Sequence, residues 1–89
     1  MDPTQELVSA VGDAVRALRK ERGLSQLGLS RLCKPHYNYI GGIERGERHP
    51  TLQALASIAV ALEVEPIEIY RRADRVLRKA AEGDSPAAP

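Results

Sequence analysis

An all-α fold, a compact bundle of five helices, is what this sequence predicts, and three observations carry it. Apolar residues recur at three- and four-residue spacing, without the alternating β-branched runs of a sheet. There is no Phe or Trp and there are only three Tyr, so the core must be Leu, Ile, Val and Ala, which suits close-packed helices. Breakers and caps then divide the chain, chiefly Gly23, Ser25, Pro35, Gly46, Thr51 and Pro66.

The first helix is predicted over about residues 5–21, with Thr4 as N-cap and Leu7, Val11, Val15 and Leu18 on one stripe. Gly23 stands where a left-handed C-cap residue is wanted. Ser25 caps a second helix over about residues 26–33, and a third covers about residues 36–44. Arg48, His49 and Pro50 form a loop, after which Thr51 caps a fourth helix over residues 52–62. That helix is buried through Leu55, Ile58, Ala59 and Leu62. Pro66 opens the fifth helix, where its missing N–H has no partner to lose. The fifth helix runs to about residue 81, so residues 1–82 form one domain and residues 83–89 read as a disordered tail.

The second and third helices carry the functional expectation. Leu29 and Leu32 lie three apart around small Ser30, and Ile40 and Ile43 lie three apart before Gly46. Helices this short cannot each bury a core, so they must lean on one another at a steep angle. That arrangement is a helix-turn-helix, whose second helix presents its outer face to a DNA major groove. The face opposite Ile40 and Ile43 carries Tyr37, Asn38, Gly41, Gly42 and Arg45. Asn can bond adenine in the major groove, Tyr37 can meet a base edge or a thymine methyl, and the glycine pair permits close backbone approach. Double-stranded DNA is the expected partner, with Tyr37, Asn38, Gly41 and Gly42 reading bases. Ser25, Gln26, Lys34, His36, Tyr39, Arg45, Arg48 and His49 are expected at phosphates, which position the protein without reading sequence.

Charge supports this placement. The formal net charge is only +1, yet residues 14–50 carry eight Lys and Arg against three Glu. Residues 1–13 and 51–70 carry acids and no base. The positive charge therefore coincides with the helix-turn-helix.

Other classes find little support. A single cysteine, Cys33, excludes an internal disulfide and reads as a small, half-apolar position rather than a redox switch. Cys33, His36 and His49 do not make a zinc site, and no nucleophile–base arrangement or phosphate loop is present. No enzyme activity, metal or cofactor is expected. No apolar run spans a bilayer and no signal-peptide pattern opens the chain, so no membrane association is expected and a cytoplasmic location is the default. Eighty-nine residues leave no room for a separate small-molecule effector domain.

Residues 12–70 resemble the lambda-repressor-like, xenobiotic-response-element family of helix-turn-helix regulators. The matching stretches are residues 12–22, Leu24-Ser25-Gln26, residues 40–46, residues 48–52 and Ala61-Leu62-Glu63-Val64. The chain is most similar to small stand-alone regulators such as restriction–modification controller proteins. The resemblance implies a five-helix DNA-binding domain that works as a homodimer on two half-sites. It also implies that Gln26 anchors a phosphate and that Arg19 and Glu44 form a structural ion pair. Three departures fall in the turn. Lys34 stands where the family has a left-handed Gly, Pro35 follows it, and His36 replaces the usual Ser or Thr cap. His36 is expected to cap poorly through its side chain.

Beyond the resemblance, Tyr70, Ala73, Leu77 and Ala80 continue a helical stripe, and Ile67 and Ile69 cannot both face one side. A homodimer joined through the fifth helix, at Ile67, Ile69, Tyr70, Ala73 and Leu77, and neighbouring parts of the fourth is expected on a palindromic operator, with RNA polymerase as a further candidate partner. The alternative is an antitoxin or bridging coactivator that uses the fold for protein–protein contact.

Overall fold

The computed structural model describes residues 2–84, arranged as α1 (Pro3–Glu21), α2 (Gln26–Leu32), α3 (Tyr37–Glu44), α4 (Leu52–Ala61) and α5 (Pro66–Asp84). The five expected helices are all present, and their ends correct the sequence reading. Asp2, not Thr4, caps α1: its carboxylate accepts from the Thr4 N–H at 2.9 Å, and Pro3 takes the first helical position. Cys33 is extended, so α2 stops at Leu32, and α4 stops at Ala61 with Leu62 as its cap. Positions 83 and 84 continue α5 instead of beginning a tail, while residues 85–89 lie outside the described residues.

One core gathers side chains from every helix. Val15, Leu29, Ile40, Ile43, Ile58, Ile69 and Ala73 are fully buried within it, each large aliphatic among them worth about 1.5–3 kcal/mol of burial. The stripe on α1 runs through Ala10, Val11, Ala14, Val15 and Leu18, whereas Leu7 stays 43% exposed beside Pro50 and Tyr70. Two glycines end helices in left-handed conformations, Gly23 at φ 68° and Gly46 at φ 73°. Glu63 does the same work after α4 at φ 57°, a backbone conformation that costs a non-glycine residue about 1–2 kcal/mol.

Helix α5 is as long as α1, 19 residues each, and lies antiparallel to it. Arg72 near its start grips Glu21 at the end of α1 through two hydrogen bonds of 2.6 and 2.9 Å. With α1 as a partner inside the chain, the start of the apolar stripe of α5 is buried in the monomer. Ile69 and Ala73 are core residues with no surface to offer a partner, while Leu77 is half-buried against the core and Ala80 is exposed. Ile67, at 48% exposure, and Tyr70 remain at the surface, so one of the two isoleucines does point away from the core.

Helix α3 is held on α1 at two points. At Gly12 the helices cross so closely that a Cβ would lie 2.2 Å from the Ile43 carbonyl oxygen. Two turns further, Arg19 donates from Nε and Nη2 to the two carboxylate oxygens of Glu44 at 2.7 and 2.9 Å. The expected ion pair is there, in bidentate form. It is larger than expected: Gln26 Nε2 donates to Glu44 Oε1 at 3.1 Å and Arg16 Nε at 3.4 Å, while Arg16 Nη2 reaches the Glu44 carbonyl at 3.3 Å. Arg19 spends its remaining Nη1 donor on the Leu24 carbonyl at 2.7 Å. The Glu44 side chain is fully shielded from solvent. Burial pushes its carboxyl up, but the bonds from Arg19, Gln26 and Arg16 outweigh that and hold it below the ordinary carboxylate range.

Two outcomes are expected. Gly12→Ala must separate α1 from backbone that cannot yield, so urea unfolding should show a loss of about 1–3 kcal/mol or more. Glu44→Ala strands Arg19 and should cost about 3–5 kcal/mol at neutral pH. Because the folded carboxyl titrates below the unfolded one, its contribution is complete above the ordinary range and lost as pH falls through the folded value. Acid titration of unfolding should therefore be less steep in Glu44→Ala than in the parent below about pH 4.

Candidate nucleic-acid interface

The outer face of α3 begins at a histidine cap. His36 is extended (φ −67°, ψ 151°), and its Nδ1 accepts the Asn38 N–H at 3.1 Å, so His36 does cap through its side chain. An unprotonated Nδ1 supplies the lone pair that Ser or Thr oxygen ordinarily gives. The imidazole lies 4.4 Å from the Tyr37 ring, centroid to centroid. Tyr37 and Asn38 are both exposed at this N-terminal end. Ile40 and Ile43 are at 0% exposure on the inner side and Glu44 is clamped, which fixes the rotation of α3.

Gly41 and Gly42 do not form an open surface. Both are buried, Gly41 beneath the Arg45 guanidinium and the Gln26 amide oxygen, Gly42 beneath the aliphatic stem of Arg48. The sequence pattern placed them on the right face but could not show that long basic side chains fold back over it. For either backbone to approach DNA, those side chains must first swing out.

The turn before α3 departs from the family pattern, as Lys34 followed by Pro35 implied. Lys34 is not left-handed: among the described residues only Gly23, Gly46 and Glu63 have positive φ. Extended Cys33 (φ −140°, ψ 172°) makes the break instead, and the Lys34 N–H donates to Ser57 Oγ at 3.4 Å. Pro35 biases its predecessor toward extended backbone, which suits a turn without glycine. Burial raises the Cys33 thiol, whose Sγ sits 3.2 Å from the Leu29 carbonyl, in line with an inert packing role.

Among the expected phosphate contacts, Gln26 lies beside Arg45 over Gly41, and Lys34, His36 and Tyr39 border the turn, with Arg48 against the Tyr39 ring. Ser25 uses its Oγ to accept the Gly28 N–H at 2.8 Å, capping α2. Gln26, in the first turn of α2, commits one amide hydrogen to Glu44 and retains the other. Tyr39 is half-buried, its hydroxyl accepting the Thr51 N–H at 3.3 Å and its ring 5.6 Å from the Arg48 guanidinium carbon. Lys34, His36, Tyr39 and Thr51 border a shallow concavity against α4. His49 stands elsewhere, on a groove with Leu7, Pro50 and Tyr70. Arg16 was missed by sequence reasoning, although its position four residues after Gly12 and three before Arg19 puts it on the same face of α1.

A helix-turn-helix family model matches residues 15–69. The immunity repressor protein of Bacillus phage phi105 is 32% identical over 75 residues, which is 84% of this chain and 52% of that protein. The chain thus spans about half the length of that repressor. The crystal structure of the restriction-modification controller protein C.AhdI from Aeromonas hydrophila superposes with a TM-score of 0.68 at 39% identity, over 70% of this chain and 94% of that one. The controller protein C.Esp1396I, solved as a tetramer in complex with its natural 35 base-pair operator, superposes at 0.70 with 30% identity, over 78% of this chain and 91% of that one. With more than half of its residues inside the matched region, the chain belongs to the helix-turn-helix family of transcription regulators.

Proposed function

We propose that this protein is a sequence-specific DNA-binding transcriptional regulator that acts as a homodimer on a palindromic operator, with α3 in the major groove. The observation that carries the reading is the placement of α3. Its inner side is fixed by Ile40, Ile43 and the Glu44 clamp, while Tyr37 and Asn38 stand exposed on the outer side. The operator complex of C.Esp1396I supports it by similarity. An antitoxin role is disfavoured, because residues 72–82, the segment of α5 that would have to wrap a toxin, begin packed on the chain's own core and on α1. Contact with RNA polymerase would depend on where the operator lies relative to a promoter.

The dimer surface we propose is not the stripe on α5 but the outer face of α4. Residues 52–62 contain no charge, and α4 leaves Leu52 at 78% and Val60 at 75% exposure, with Ile67 at 48% just beyond. A second copy is the commonest cover for such a face. Two recognition helices about 34–36 Å apart would then enter successive major grooves.

Selection of sites from random duplex DNA should return an inverted repeat. Asn38→Ala should relax preference at one position of each half-site, worth about 1–3 kcal/mol of discrimination, while Arg45→Ala weakens all sequences equally and lowers the salt slope by about one. Equal losses on selected and random DNA for Asn38→Ala would remove it from the readers. In sedimentation at micromolar concentration the parent should be a dimer, and Val60→Asp with Ile67→Asp a folded monomer. A monomeric parent would refute the proposed dimer.

A further inference from the structure

The turn that ends α3 places an acid against Arg45, one of the residues expected at a DNA phosphate. Gly46, left-handed at φ 73°, reverses the chain so that its N–H donates to the Ile43 carbonyl at 3.0 Å and the Glu47 N–H to the Gly42 carbonyl at 2.9 Å. The turn is docked on α1: Gln5 Nε2 donates to the Gly46 carbonyl at 3.0 Å, and Ser9 fills the space beside Gly46. The backbone of Glu47 is therefore fixed from three sides. From that position Glu47 Oε2 accepts from Arg45 Nε at 2.9 Å, although the two residues are only two apart in sequence. The far end of the same guanidinium rests on Gly41, its Nη1 2.9 Å from where a Cβ would stand and beside the Gln26 amide oxygen. An exposed arginine with no anchor would extend into water. Here it is laid flat across the reading face.

We propose that Glu47 is a positioning residue for DNA binding: it acts as an internal stand-in for phosphate, holding Arg45 across Gly41 until DNA exchanges one anion for another. Arg45 is engaged by Glu47 through Nε, and turning its guanidinium from Glu47 toward a backbone phosphate would open the Gly41 surface in the same movement. The exchange opposes every DNA sequence alike, since phosphate carries no sequence information. The inference rests on the DNA-binding reading above.

The test is a double-mutant cycle read as affinity. Fluorescence anisotropy would give Kd for the parent, Glu47→Gln, Arg45→Ala and the double variant, on random-sequence duplex DNA and on duplex selected from it. Glu47→Gln should tighten both by about two- to fivefold at low salt, the range of an exposed ion pair, with the gain fading at high salt. In the Arg45→Ala background the same substitution should change nothing. An equal gain in that background would mean that Glu47 merely repels DNA, and no gain in either background would mean that the pair is idle; each overturns the proposal. A parent that binds no duplex would overturn the DNA-binding reading together with it, whereas binding without a Glu47 effect fails this inference alone.

Discussion

Glu44 is the residue on which the arrangement of the other helices turns. A carboxylate with no exposed side-chain surface has to be matched by donors, and three side chains supply them: Arg16 and Arg19 from α1 and Gln26 from α2. Geometry follows from that requirement. The bidentate guanidinium of Arg19 fixes the distance and roll between α1 and α3, and the Gln26 amide fixes α2 against both. Such a cluster adds less net stability than apolar residues of equal volume would, but leaving it half-formed is costly, so it selects one packing over its neighbours. Gly12 serves the same contact from the other direction, by letting the α1 backbone approach α3 where any side chain would collide.

The same cluster reaches toward the surface where DNA is proposed to bind. Gln26 is both a donor to Glu44 and a member of the expected phosphate group, so the buried charge and the outer face share a side chain. Around it, the cations of the free protein already have partners: Arg45 rests between Glu47 and Gly41, and Arg48 lies on Gly42 with its guanidinium near the Tyr39 ring. On the proposed reading, a polyanion bound to this face would exchange partners with Arg45 and Arg48. Exposed pairs exchange readily, because water and salt screen them.

The five helices were legible in the sequence because caps and breakers mark their ends locally. Gly23, Ser25, Thr51 and Pro66 all stand at or beside the boundaries they imply. The Arg19–Glu44 pair was legible only through resemblance, since 25 residues separate its members. What escaped was set by tertiary context. Gly12 looks like a weak point in a helix until the crossing helix is known. Arg16 is one of several basic residues on α1 until Glu44 is seen opposite it. The stripe of Ile69, Ala73 and Leu77 has the same spacing whether it faces a second copy or α1, and periodicity cannot choose between them. Glu63 in a left-handed conformation carries no sequence signal, because the residue type argues against it.

The measurement closest to the central claim is a double-mutant cycle between Arg19 and Glu44, read by urea unfolding of the free protein. If the clamp organises the fold, Arg19→Ala and Glu44→Ala each destabilise strongly, and the double variant loses less than the sum by about 1–3 kcal/mol. Additive losses, or single variants that unfold like the parent, would show that the two residues act independently and that α3 is held in place by its apolar contacts alone.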